Sequence, residues 1–335
     1  MGYNPKYVIT PRTAGLLEKI SELRTKIEMS PVSVQWRPRL ERDAFARLAH
    51  TSTAIEGNPL TLREVEILSK GGDLPMVQRR YKNEVLNYLA ALRYITGHST
   101  KKNLTAKDVL RLHAIVGRDA LEREPIGAFR DYQVVIRQHR PPRYQDVPRL
   151  VSALLDWVNS QGKNLPAVIS SAILHYQFEH IHPFGDGNGR VGRLLATWEL
   201  YRRKIDTYHI FSIDEVYWED REKYFSVLRS VQEAGGNLAG WIEYVAAAAV
   251  EALGRAWKRV QAIQGNVRPG EELILTPKQE KLLALLRNVP LSINEIMKEL
   301  RVTTRAGAHH IIKPLLERGI IVRRGGHKTG KYVLA

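Results

Sequence analysis

The run His182-Pro183-Phe184-Gly185-Asp186-Gly187-Asn188-Gly189-Arg190-Val191-Gly192-Arg193 brings a titratable base, a carboxylate, closely spaced glycines and two arginines into twelve residues. That inventory suits holding a polyphosphate and moving a proton beside it. Glycines let the backbone turn tightly and bring N–H groups close to an anion, and a helix N-terminus adds a favourable dipole. Arginines supply planar, permanently charged forks for phosphate oxygens. A carboxylate such as Asp186 can hold a hard divalent cation that bridges the same phosphates. Gly187 to Gly192 also fits the dinucleotide pattern G-x-G-x-x-G, which requires a preceding strand. Here Ala167 to Ile181 carries Ile169, Ile173, Tyr176 and His180 at helical spacing, so that reading fails. No G-x-x-x-x-G-K-[ST] run occurs either. What remains is a helix–loop–helix anion site with a histidine at its mouth.

The same twelve residues resemble the signature of the Fic-domain family, H-x-F-x-[DE]-[GA]-N-[GK]-R-x-x-R. Every fixed position matches: His182, Phe184, Asp186, Gly187, Asn188, Gly189, Arg190 and Arg193. The similarity runs from about residue 40 to about residue 250. It implies a mainly α fold, an all-helical core with a small β-hairpin flap, and ATP with Mg²⁺ as cosubstrate and metal. It further implies that His182 is a general base, taking the proton of a Ser, Thr or Tyr hydroxyl on a target protein that then receives AMP. By the same resemblance Asp186 would hold Mg²⁺, and Asn188 with the backbone of Gly187 and Gly189 would cradle phosphate oxygens. Arg190 would support the loop and the β-phosphate, and Arg193 would reach the γ-phosphate. Phe184 would be a buried plug. Tyr224, Phe225 and Gln232 fall where adenine-slot residues occur, and Val134 to Ile136 with Arg137, Gln138 and His139 matches a target-docking flap. Such a flap offers a strand edge, so pairing is through main chain and leaves the target unnamed. His180, two residues before the base, reads as a packed helix-end side chain.

A second stretch, Ser52-Thr53-Ala54-Ile55-Glu56-Gly57, is similar to the family's inhibitory pattern [ST]-x-x-x-E-[GN]. The resemblance implies that Glu56 pairs with Arg193, taking the charge meant for the γ-phosphate, with Ser52 and Gly57 completing the inhibitory segment. It leaves open whether Glu56 also positions a water that removes AMP.

Around these motifs the apolar spacing predicts helices over Glu41 to Ile55, Leu62 to Ser69, Asn83 to Ile95, Ala106 to Val116 and Val147 to Ser160. Gly57 and Pro59 stop the first of them. Tyr217 to Glu233 and Ala239 to Trp257 close the core. Gly265, Asn266, Pro269 and Gly270 mark a linker. Beyond it come helices over Lys278 to Arg287 and Ile293 to Leu300, the latter capped by Ser292. A third starts at Thr303 or Thr304, and Ile320 to Leu334 reads as a two-stranded wing. Three helices and a glycine-tipped basic hairpin resemble a winged helix-turn-helix domain, with Thr303, Thr304, Arg305, His309 and His310 as groove candidates. The expected layout is therefore a helical region with the inhibitory helix at 1–100, the Fic catalytic core at 101–260, a linker at 261–275 and the winged helix at 276–335.

The chain of 335 residues carries 51 Lys+Arg against 35 Asp+Glu, a net charge of +16. Such a balance favours anionic partners. Residues 276–335 alone hold twelve Lys/Arg against four Asp/Glu, which makes duplex DNA a candidate partner there. No apolar run approaches the ~18 residues of a membrane span, and Met1 to Thr10 lacks a signal-peptide layout. Zero cysteines exclude disulfides and thiolate metal sites and fit a reducing, cytoplasmic setting. A homodimer is a further expectation from the family. Two alternatives stay open: a Fic transferase of another group, and a DNA-binding regulator in which the Fic domain is secondary.

Overall fold

Apolar residues at helical spacing make the chain helical almost throughout. The computed structural model describes residues 2–30, 36–121, 125–136, 140–206, 208–264, 275–286, 289–326 and 330–334. In order come α1 (Pro11–Met29), α2 (Arg37–Ile55), α3 (Leu62–Ser69), α4 (Arg79–Gly97), α5 (Ala106–Gly117), α6 (Val147–Asn159), α7 (Ala167–Ile181) and α8 (Asn188–Arg202). Then follow α9 (Asp214–Glu219), α10 (Arg221–Glu233), α11 (Ala239–Gln264), α12 (Pro277–Leu286), β1 (Leu291–Ser292), α13 (Ile293–Glu299), α14 (Arg305–Glu317), β2 (Ile321–Arg324) and β3 (Lys331–Leu334). Met1–Met29 with Ala44–Trp257 form one compact unit, and Ser30–Asp43 with Lys258–Ala335 form another. None of the described helices is long and apolar enough to cross a membrane.

In the first unit α7 and α8 form the central hairpin. Helix α7 is apolar on nearly every side and is buried nearly all round, from Ala167 to Ile181. Helix α8 is polar yet equally buried, so its charges must find partners inside. Glu199, 0% exposed, accepts from Ser170 at 2.9 Å and pairs with Arg202 at 3.2 Å and Arg203 at 3.3 Å. Helices α4 and α5 cover α8, and α6 covers α7. From the other side α11 contributes Trp241, whose indole N–H donates to the Ala172 carbonyl at 2.7 Å. Tyr217, Tyr224, Tyr244 and His175 gather around that indole. The N-terminal segment joins through a parallel bridge between Lys6 and Asn237.

Three boundaries differ from the expected ones for local reasons. The single helix expected over Tyr217 to Glu233 is broken, because the Asp220 carboxylate accepts from the Lys223 N–H at 3.0 Å and restarts the chain as α10. Helix α11 continues past Trp257 to Gln264, so the expected linker begins as helix, while 265–274 lies outside the described residues. At the expected flap, residues 133–135 are irregular and Ile136 makes only an isolated bridge; Arg137, Gln138 and His139 lie outside the described residues.

In the second unit β3 pairs antiparallel with both β1 and β2, giving the order β1-β3-β2. The expected two-stranded hairpin thus gains Leu291–Ser292 as a third strand. Leu282, Leu286, Ile296, Ile312, Leu315 and Ile321 fill its core. Ser292 and Glu295 form a reciprocal cap on α13, and the Thr304 hydroxyl caps α14 through the Gly307 N–H at 3.1 Å.

Trp241 is both a fully buried aromatic beside α7 and a satisfied donor. Its truncation to Ala should destabilise the protein by about 3–5 kcal/mol, read as a lower denaturant midpoint; a change under ~1 kcal/mol would show that the cluster does not support α7.

Candidate active site

The turn between α7 and α8 is held in an uncommon shape. His182 caps α7 with φ 49° and ψ 63°, the left-handed region that non-glycine residues avoid unless their surroundings enforce it. Arg130 enforces it. Its guanidinium donates to the His182 carbonyl at 2.9 Å, to Tyr132 O at 3.0 Å and to Pro142 O at 2.6 Å, while its N–H donates to Pro183 O at 2.9 Å. Two residues on, Phe184 is 0% exposed and stacks on His113 of α5 with ring centroids 3.7 Å apart. His113 Nδ1 accepts from the Gly127 N–H at 3.1 Å, so Nε2 carries the proton and donates to the Asp186 carbonyl at 3.1 Å. Burial lowers the His113 pKa to about 4, with Asp186 opposing, so the ring is neutral at pH 7.

Asn188 was expected to cradle phosphate, and its side chain does something else. Its amide oxygen accepts from the Phe184 N–H at 2.9 Å and its NH₂ donates to the Phe184 carbonyl at 2.8 Å. The amide closes the loop with its oxygen and one of its two N–H donors, which fixes its orientation. Gly187, at φ 82°, turns the chain into α8, whose first N–H groups have no partner within the helix. The Asp186 carboxylate, 49% exposed, accepts from the Gly187 N–H and from Arg190 at 3.2 Å. Arg190 is itself buried and also faces Glu84 of α4 at 3.8 Å.

One turn further along α8, Arg193 is 1% exposed. Its Nε donates to the Ser52 hydroxyl at 2.7 Å, and its Nη2 donates to the Ser52 carbonyl at 2.8 Å and to Glu56 Oε1 at 2.7 Å. Burial alone would lower the Arg193 pKa; Glu56, then Tyr224, Asp214 and Tyr88, outweigh it and hold the guanidinium charged. Glu56 can reach this point because α2 stops at Ile55 and Gly57 turns at φ 95°. Asn58 pins the exit by donating to Tyr81 O at 3.0 Å and Glu84 at 2.9 Å, and Arg221 donates to Ile55 O at 2.8 Å. Gly189 leaves this position open. A Cβ there would sit 2.2 Å from Glu56 Oε1, so any larger residue would require the carboxylate to shift.

Residues 103–200 match the Fic/DOC family. The chain carries a Fic domain. Among curated relatives, a protein named protein adenylyltransferase Fic from Nematostella vectensis is 31% identical over 235 residues, covering 69% of this chain and 53% of the relative. Protein adenylyltransferase fic-1 from Caenorhabditis briggsae is 29% identical over 274 residues, 80% of this chain and 52% of the relative. This chain thus spans about half the length of the curated relatives it matches. Among solved structures, a Fic family protein from Desulfovibrio desulfuricans G20 superposes with a TM-score of 0.67 at 26% identity, covering 99% of this chain and 98% of that one. Fic-1 from C. elegans superposes at 0.65 and 26% identity, over 76% and 73%.

The Fic domain's remaining expected residues fall in three places. Tyr224 does not line an open adenine slot: it is 1% exposed, its hydroxyl 3.2 Å from His175 Nε2 within the aromatic cluster. Phe225 is half-buried beneath the Arg221 guanidinium, 5.2 Å from its centroid, and Gln232 is exposed near the end of α10. Ile136 is half-buried. Residues not anticipated from sequence surround the motif instead. His113 and Glu84 lie on apolar faces of α5 and α4, an unusual setting that was the available signal. Asp214 and Glu179 carried none.

Glu179 lies on α7 beside Gly192, where a Cβ would approach its Oε1 to within 2.3 Å. That oxygen is buried and hydrogen-bonds to nothing among the described residues. Burial pushes the Glu179 carboxyl from 4.5 up to about 8, with Arg193 opposing and Glu56 reinforcing the rise. The folded state therefore holds a proton that the unfolded chain releases above 4.5, so this group's stabilisation is lost as pH rises from 4.5 to about 8. Glu179→Gln should remove that loss. Melting temperatures of wild type and variant should diverge with rising pH across this window, the variant gaining; a constant difference would refute the assignment.

Proposed function

We propose that this chain is an ATP-dependent protein adenylyltransferase restrained by its own Glu56. The observation that carries the reading is the 2.7 Å bond between Glu56 and the buried Arg193, made across 137 residues beside a complete catalytic motif. The names of the curated relatives support it. In this reading His182 takes the proton of a Ser, Thr or Tyr hydroxyl on a target protein. The freed oxygen bonds to the α-phosphorus of ATP, the bond from that phosphorus to the β-bridging oxygen breaks, and pyrophosphate leaves with AMP retained on the target. An imidazole suits the proton transfer because its ordinary pKa lies near neutrality, and such help is worth about 10²–10⁴ in rate.

Alignment comes from the rigid turn. Arg130, His113 and Asn188 fix the backbone on both sides of His182, and the start of α8 offers N–H groups and positive dipole to the phosphates. Arg190 supports the loop, and Arg193 serves the γ-phosphate once Glu56 has moved. Mg²⁺ fits Asp186, a half-exposed hard oxygen donor, because this ion takes most of its ligands from phosphate and water. The described residues hold no group of three or more His, Cys, Asp or Glu that could bind it without them. When bound, it neutralises phosphate charge. The cysteine-free sequence is compatible with a cytoplasmic setting, and the exposed Tyr132 and Val135 lie where a target segment would dock.

Replacing Glu56 by Gly should raise transfer of α-labelled AMP to protein at least tenfold, since the lost bond to a charged group is worth about 1.5–3 kcal/mol. His182→Ala in that background should abolish transfer. Unchanged labelling by Glu56→Gly at saturating ATP and Mg²⁺ sinks the restraint.

A second reading concerns residues 276–335, whose order of helix, strand, two helices and two strands supports a winged helix. Helix α14 buries Ala308, Ile311, Ile312 and Leu315 and exposes Arg305, His309, His310 and Lys313, with Arg323 and Arg324 exposed on β2. That basic face favours duplex DNA. For the full chain, Arg305→Ala with Lys313→Ala should weaken duplex binding and lower the slope of log affinity against log salt by about 0.9 per lost phosphate contact. Salt-independent binding, or none, would favour a protein partner.

A further inference from the structure

The guanidinium of Arg193 has two edges with different company. The Nε edge is enclosed: Nε donates to the Ser52 hydroxyl at 2.7 Å and lies 3.9 Å from Asp214 Oδ2. Ser52 is 0% and Asp214 1% exposed. Having accepted from Nε, the Ser52 hydroxyl keeps its own proton, for which the Asp214 carboxylate and the Tyr88 hydroxyl are both neighbouring acceptors. Tyr88 of α4, fully buried, donates to the same Asp214 Oδ2 at 3.3 Å. The opposite edge faces the start of α8. Nη1 lies 3.1 Å from where a Gly189 Cβ would be, and Nη2 meets Glu56, whose side chain is 33% exposed.

Arg193 thus gives one hydrogen bond to Glu56 and two to Ser52. Were Glu56 the sole counter-charge, its departure would leave a buried cation unpaired, among the most unfavourable arrangements a protein interior can hold. Asp214 removes that difficulty. Burial pushes its carboxyl up to about 6, with Arg193, Tyr88 and Ser52 opposing the rise, so it is an anion at pH 7.

We propose that Asp214 is a positioning residue for the phosphate end of the site, holding Arg193 from behind through Ser52 so that the guanidinium keeps its place when Glu56 withdraws. Glu56 is then a removable plug on a cation already seated. The proposal rests on the adenylyl-transfer reading, in which the exposed edge of Arg193 takes the γ-phosphate of ATP.

The test is the affinity for ATP against that for ADP, each with Mg²⁺, measured by calorimetry on the full chain carrying Glu56→Gly and His182→Ala. This parent should bind ATP the more tightly. Adding Asp214→Asn should weaken ATP binding about tenfold, the effect of losing one charged hydrogen-bond partner, while ADP affinity stays within about twofold, and Arg193→Ala should act likewise. Ser52→Ala, which keeps every charge in place, should erode the same preference to a smaller degree and decides the matter if Asp214→Asn does not fold. ATP preference retained in the folded variant overturns the proposal, as does an equal loss for both nucleotides, which marks a general structural role. A parent with no ATP preference overturns the γ-phosphate reading itself, and the proposal with it.

Discussion

A single buried cation organises this molecule. Arg193 sits at the centre of the helical unit with 1% of its surface exposed, and an ion so placed is tolerated only where partners surround it. Those partners arrive from every direction: Ser52 and Glu56 from the end of α2, Asp214 from the start of α9, and Tyr88 from α4 behind Asp214. Each of those elements is thereby tied to α8. The end of α2 stops and α9 begins where each presents an acceptor to the guanidinium, and Gly189 leaves the approach of Glu56 unobstructed. The ion pair is weak evidence for stability in itself. Its strength lies in specifying one arrangement of four segments far apart in sequence.

The neighbouring turn is built on a different principle. The backbone at His182 is held in the left-handed region, which costs about 1–3 kcal/mol, and such strain persists only where the surroundings over-determine it. Arg130, His113 and Asn188 do so by binding carbonyls and N–H groups of the loop. The consequence is preorganisation. The backbone at His182 and the α8 N-terminus are held in a fixed relation by the fold itself, so in the proposed reaction little ordering would be left for the chemical step.

The motif was legible because its chemistry is contiguous: base, carboxylate, glycines and arginines occupy one turn and the start of one helix. The helices were legible because their apolar spacing is regular, and Gly57 with Pro59 announced the end of α2. What escaped was non-local. Asp214 looks like any acid at a helix start until folding places it 3.9 Å from Arg193. Asn188 carries the amide expected of a phosphate ligand, and only the structure reveals that it also braces the Phe184 backbone. The break at Asp220 was hidden because capping there competes with a helical pattern that runs straight through it. Leu291–Ser292 was missed because two residues carry no period, and their strand exists only through pairing with β3.

The asymmetry of the Arg193 environment also bears on how the proposed restraint by Glu56 would be both firm and reversible. Glu56 reaches the guanidinium from the solvent side, 33% exposed, so water and salt screen part of its attraction. A hydrogen bond to a charged group contributes about 1.5–3 kcal/mol, which corresponds to roughly ten- to a hundredfold in occupancy. In the proposed reading, a triphosphate that also contacts the start of α8 would exceed that amount without disturbing anything behind the arginine. Had the plug been buried and the seat exposed, removal would have exposed an apolar interior and unfolded the site. With the plug at the surface and the seat inside, the proposed restraint would be lifted by a side-chain rotation of Glu56. The end of α2, pinned by Asn58 and Arg221, need not move for the exchange to occur.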